Sequence, residues 1–119
     1  VYSKLNSKPK VADSLIKKEK NQSLCIYTAY CIPILIADIE RRNIAAFHPG
    51  FNGLKKQIIS KTLKSLEGIG SKENNLIIAL GPSIKGDKYQ IKKKDAEELI
   101  YQISGKAYLE KSFCRIEIN

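Results

Sequence analysis

Two residues of this chain carry metal-ligand chemistry in unusual local settings. Cys31 ends the stretch Thr28-Ala29-Tyr30-Cys31 and precedes Ile32-Pro33. His48, the only histidine, opens His48-Pro49-Gly50-Phe51-Asn52-Gly53. Each stands where a strand-like stretch runs out. A thiolate and an imidazole converging at strand ends suit a borderline metal such as zinc or copper. Proline restricts the residue before it to extended geometry and lacks an amide donor, so Ile32-Pro33 excludes an ordinary central-strand interior. Taken singly, each residue has a plainer account. Most free cysteines are buried and inert, and a histidine before a strand-to-helix turn is commonly a surface residue.

Other loops add candidates. Gly50 and Gly53 permit tight backbone turns. The helix expected after them offers its first amides to an anion such as phosphate. Gly81-Pro82-Ser83-Ile84 closes an apolar run, and ligand loops in α/β folds gather at strand ends. Cys25 and Cys114 lack any comparable setting and read as structural. Asp13 and Asp38 have no histidine beside them in sequence and read likewise. Neither a phosphate-binding lysine motif nor a dinucleotide fingerprint is present.

These residues need elements to hold them. Val11–Ile16 reads as a short edge strand. Ser23–Ala29 alternates β-forming side chains and predicts a strand. Ile34–Ile39 is nearly all apolar, as in a strand buried on both faces. Glu40–Asn43 is a turn and Ile44–His48 the returning strand of a hairpin. Leu54, Ile58, Ile59, Leu63 and Leu66 recur at helical spacing, which predicts one helix over 54–67 ended by Gly68 and Gly70. Leu76–Leu80 predicts another buried strand and Tyr89–Ile91 a short one. Asp95–Ile103 predicts a second helix, and beyond Ser104 the pattern weakens. The fold class is therefore α/β, a mixed sheet with helices packed on it.

Composition narrows the function classes. At 119 residues and 43% apolar, the chain is one domain or part of one, with enough material for a core. No apolar run approaches the roughly 18 residues of a membrane span, and no signal peptide opens the chain. The net charge is +9, but only Arg41, Arg42 and Arg115 are arginines while 18 residues are lysines. Base and phosphate recognition favours arginine forks, and isoleucine is equally abundant at 18. That joint enrichment reads as compositional bias, with solvated lysines rather than a nucleic-acid surface. Three cysteines at these spacings form no disulfide framework, so a reducing, cytoplasmic setting is expected.

The motifs gain weight as an ordered set. Ala12-Asp13-Ser14-Leu15, Thr28-Ala29-Tyr30-Cys31-Ile32-Pro33, His48-Pro49-Gly50-Phe51-Asn52-Gly53 and Gly81-Pro82-Ser83-Ile84 follow one another, with Tyr89-Gln90-Ile91 after them. Together they resemble the laccase-domain family, also called multicopper polyphenol oxidases or purine nucleoside phosphorylases. The resemblance covers residues 11 to about 100. It departs from the family pattern at Tyr30 (usually aspartate), Phe51 (usually tryptophan) and Asn52 (usually arginine). It also lacks the cysteine that many relatives carry around Gly86-Asp87-Lys88.

The resemblance implies a metal, zinc or alternatively copper, held by two histidines and a cysteine. Cys31 and His48 match two of these ligands and double as the catalytic pair. The third belongs to a Gln-Val-His segment upstream of the Ala-Asp stretch, expected to precede this chain. Residues 1–119 are accordingly expected to form a single laccase-like domain truncated at both ends. Gly50, Phe51, Asn52, Gly53 and Ser83 fall on the implied substrate side. The implied partners are a purine nucleoside and phosphate, without nucleic acid or membrane and with the oligomeric state open. The implied activity is phosphorolysis of adenosine or inosine, with adenosine deamination as a companion. Two alternatives accompany it: a non-catalytic remnant acting as an interaction module, and copper-dependent phenol oxidation.

Overall fold

The computed structural model describes residues 12–18, 21, 23–92, 95, 97, 106–110 and 113–117. Contacts divide the chain into two compact units, Val1–Pro82 and Ser83–Asn119. The first unit holds a four-stranded sheet in the order β1-β3-β2-β4. Its strands are β1 (Ser14–Lys17), β2 (Ile34–Asp38), β3 (Ile44–Phe47) and β4 (Leu76–Leu80). Every described ladder is antiparallel. The α/β class therefore stands, and the sheet is antiparallel rather than mixed. Only β2 and β3 are consecutive strands joined by a short turn; β1–β3 and β2–β4 are neighbours that are not consecutive in the chain.

The β2–β3 hairpin forms where the sequence pattern predicts it. Its turn is fixed by Asp38, whose Oδ1 accepts hydrogen bonds from the Glu40 and Arg41 amides, both at 2.9 Å. Arg42 takes the left-handed conformation with φ of 58°. Period-two alternation then decides the faces. Ile16, Ala45 and Ile36 lie side by side across three strands, with Phe47 and Ile34 in the next row. Ile16, Ile36, Ala45, Phe47 and Leu66 are the buried core cluster, and Ile58 and Leu63 pack against it. Full burial of a side chain such as Phe47 or Leu66 stabilises by about 1.5–3 kcal/mol.

Leu66, Ile58 and Leu63 come from α2 (Ile58–Gly68), which crosses the core face. A buried polar contact fixes its position. The Thr62 hydroxyl donates to the Ile58 carbonyl at 2.8 Å, and the Ser14 hydroxyl meets Thr62 Oγ1 at 2.8 Å. With the Thr62 proton committed, Ser14 is the donor to Thr62. Strand and helix are thereby joined by side chains buried at both ends.

Several expectations are corrected. The single helix over 54–67 is two helices, α1 (Phe51–Lys55) and α2, separated at Gln57 with φ of 56°. Lys55, Lys56 and Gln57 are all good helix formers, so propensity gives no sign of the break. Residues 23–28 form no strand. Their alternation is real, but none of the described ladders includes them, and β4 occupies the free edge of β2. Ile34–Asp38 is not buried on both faces, since Leu35 is 49% exposed. Leu76–Leu80 is a strand but not a buried one, with Ile77 at 59% and Leu80 at 65% exposure. Among the described strands it lies at the sheet edge and pairs with β2 alone. Cys25 is exposed and does not pack in the core.

The second unit contains a three-stranded sheet of order β5-β7-β6. These strands are β5 (Gln90–Lys92), β6 (Lys106–Glu110) and β7 (Phe113–Glu117). The last two lie where the sequence pattern weakens. Of the helix expected over 95–103, only residues 95 and 97 are among those described. The Cys114 side chain also lies outside the described set. Among the described residues, no helix is long and apolar enough to cross a membrane.

Candidate metal centre

Strand register brings the motif segments of the first unit to one end of its sheet. Phe47 pairs with both Ser14 and Ile34, and Ile34 pairs with Leu80. Asp13, Pro33, His48 and Gly81 each lie one residue beyond that shared row. Two backbone hydrogen bonds fasten them: the His48 amide donates to the Asp13 carbonyl at 2.8 Å, and the Gly81 amide to the Pro33 carbonyl at 2.9 Å. Segments far apart in sequence thus meet in one loop cluster. Asp38 stands at the opposite end of β2, opposite Leu76, where it serves the hairpin turn.

Within the cluster, His48 and Cys31 converge around Gly50. A Cβ built on Gly50 would lie 3.1 Å from His48 Nε2, 3.3 Å from Cε1 and 3.7 Å from Cys31 Sγ. A single point therefore borders the imidazole nitrogen and the thiol sulfur together. His48 Nε2 is buried and has no hydrogen-bond partner among the described residues. Leaving such a group unpaired costs about 1–3 kcal/mol, and coordination to a metal ion would relieve that cost. Cys31 is half-buried and carries no disulfide. A nitrogen and a sulfur donor of this kind fit zinc or copper. Among the described residues, no group of three or more His, Cys, Asp or Glu side chains gathers as a metal cluster.

The remaining candidates lie as follows. Gly53 falls inside α1 and is buried, where a Cβ would meet the His48 carbonyl oxygen and Ile58 Cγ2, both at 3.3 Å. Phe51 opens α1, half-buried, with Lys55 Nζ 5.7 Å from its ring centroid. Asn52 and Tyr30 are exposed. Ser83 is exposed and belongs to the second unit. The helix following the histidine loop is only five residues long, and α2 starts afresh beyond Gln57. The long, dipole-aligned helix N-terminus expected at this loop is therefore absent.

Sequence reasoning missed three positioning features: the Asp13 carbonyl under the His48 amide, the clearance at Gly50 and the contact of Gly81 with Pro33. A Cβ on Gly81 would come within 2.5 Å of Pro33 Cγ. The ordered motifs named these residues without indicating that they touch.

Comparison with known proteins agrees with the fold and with the family resemblance. Residues 2–114 match the family of multi-copper polyphenol oxidoreductase laccases. The chain belongs to this laccase family. A purine nucleoside phosphorylase of Synechocystis is 38% identical over 80 residues, covering 67% of this chain and 30% of its own. One from Aquifex aeolicus is 37% identical over 92 residues, covering 77% of this chain and 43% of its own. The chain thus spans less than half the length of these laccase-family relatives. Among solved structures, YfiH of Bacillus licheniformis superposes with a TM-score of 0.78 at 20% identity, over 88% of this chain and 42% of that one. YlmD of Geobacillus stearothermophilus gives 0.79 at 16% identity, over 88% and 41%.

Proposed function

We propose that this chain contributes Cys31 and His48 to the metal site of a purine nucleoside phosphorylase acting on adenosine or inosine. The observation that carries the reading is the buried, partnerless Nε2 of His48 beside the Cys31 thiol across Gly50. Family membership and the names of the relatives support the substrate class. A metal bound there, zinc or alternatively copper, would supply Lewis-acid stabilisation of developing negative charge.

The chain's own residues have definable tasks. The His48 backbone is anchored by its amide on the Asp13 carbonyl, which uses neither ring nitrogen. Cys31 directly precedes Ile32, which Pro33 restricts to extended geometry, and Pro33 is tied to Gly81 by a backbone hydrogen bond. Gly50, Phe51, Asn52 and Gly53 remain the proposed substrate-side residues of the first unit; for Ser83, in the second unit, substrate contact is proposed on the family resemblance alone. In the reaction, a phosphate oxygen bonds to the ribose C1 as the C1–N bond to the purine breaks. The bond's electron pair leaves with the base, which takes up a proton, and ribose 1-phosphate is the second product. Holding phosphate and nucleoside in line is where positioned side chains contribute most. Two donors fit a mononuclear site better than the several coppers of phenol oxidation.

The test follows free base and ribose 1-phosphate released from inosine and adenosine by the full-length protein, with and without phosphate. Phosphate-dependent turnover is expected, and loss of both turnover and bound metal in Cys31→Ala and His48→Ala. Unchanged turnover in both variants would sink the assignment.

A further inference from the structure

We infer that Gly50 is a clearance residue for the metal: its missing side chain keeps open the volume bordered by both donor atoms. The inference rests on the Cys31–His48 reading above and gives Gly50 a task separate from ligation. Backbone geometry does not require glycine here. Gly50 has φ of −65° and ψ of 172°, a conformation open to any L-residue. Its carbonyl accepts the Leu54 amide at 2.8 Å to start α1, a role any residue could fill. What a side chain would disturb is the space. A methyl carbon there would stand 3.1 Å from Nε2, tighter than an ordinary carbon contact. It would also touch Sγ at 3.7 Å.

Nε2 is buried without a hydrogen-bond partner among the described residues, so it faces protein rather than bulk water. A metal ion bonds imidazole nitrogen at about 2.0–2.1 Å and thiolate sulfur at about 2.3 Å. It therefore needs room immediately beside both atoms, which is the room that a Gly50 Cβ borders. Gly68 offers the contrast in the same unit, since a Cβ there meets nothing within 4 Å. The two glycines differ in what they leave free, not in backbone strain.

The experiment compares the full-length protein with its Gly50→Ala and Gly68→Ala variants. Zinc affinity is read by competition with a chromophoric chelator, and cobalt substitution by the thiolate-to-cobalt charge-transfer band. Thermal unfolding of each metal-free form is measured in parallel. Gly50→Ala is expected to weaken zinc on the order of 10–100-fold, the scale of residues that orient ligands from outside the coordination sphere. Its cobalt band should shift or vanish, while its metal-free melting temperature stays near that of the parent. Gly68→Ala should bind zinc like the parent. Equal zinc affinity in Gly50→Ala and parent overturns the role of Gly50 and leaves the Cys31–His48 site standing. A large drop in metal-free melting temperature means that the space serves packing, and overturns it too. A parent that binds no zinc, copper or cobalt overturns the underlying site, and the inference with it.

Discussion

Replacing Gly81 with alanine tests whether the loop cluster is locked as the structure indicates. The added Cβ would lie 2.5 Å from Pro33 Cγ and 3.3 Å from Cδ. Carbon atoms are most comfortable about 3.5–4.0 Å apart, so the overlap is about 1 Å or more. The neighbour is a proline ring and cannot rotate away. Gly81 is not among the left-handed glycines, so the cost is steric rather than torsional. Relieving the overlap separates β4 from the Cys31 segment and stretches the 2.9 Å hydrogen bond between the Gly81 amide and Pro33. Overpacking costs about 1–3 kcal/mol, and weakening that bond adds up to about 1 kcal/mol. The expected loss is about 2–3 kcal/mol. A unit of this size loses about 4–8 °C per kcal/mol, which gives a melting-temperature drop of roughly 10–20 °C. Thermal and urea unfolding followed by circular dichroism measure it. Zinc affinity should fall as well, because Pro33 closely follows Cys31 in the chain. A loss below about 0.5 kcal/mol, within the ordinary range for surface substitutions, would refute the close approach of Gly81 to Pro33.

Three further outcomes follow from the same structure. Thr62→Val removes the acceptor of Ser14 and leaves a buried hydroxyl unpaired, so urea unfolding should show a loss of about 1–3 kcal/mol. Gly68→Ala adds a methyl in open space at the end of α2 and should stabilise by about 0.4–1 kcal/mol, read from the same curves. Asp38 is held below the ordinary carboxylate range by the Ser71 hydroxyl first and then by the Arg41 amide, with burial opposing them. Its folded pKa is lowered, so its contribution is complete above the ordinary carboxylate value of about 3.9 and is lost as pH falls through the folded value. Asp38→Asn should accordingly flatten the acid limb of stability against pH, and an unchanged limb in urea titrations down to about pH 3 would refute that account.

The hairpin was legible because its signals are local. An apolar run, a polar turn and a second apolar run specify two paired strands before any other contact forms. The exposure of β4 was not legible, since an apolar run reports what can be buried and not which face is covered. The break at Gln57 was hidden for a related reason. Helical periodicity continues through it, and Lys55, Lys56 and Gln57 carry no breaking signal. Residues 23–28 show the converse, where β-forming alternation found no partner ladder among the described strands. The same distinction holds at the site. Cys31, His48 and the glycine loops could be named from the order and spacing of their motifs, because residue type and sequence are enough to define a family. Their meeting depended on register, with Phe47, Ile34 and Ser14 or Leu80 in one row carrying the following or preceding residues to a common end. The buried Nε2 and the clearance at Gly50 are tertiary facts, since burial and free volume belong to what surrounds a residue and not to the residue itself.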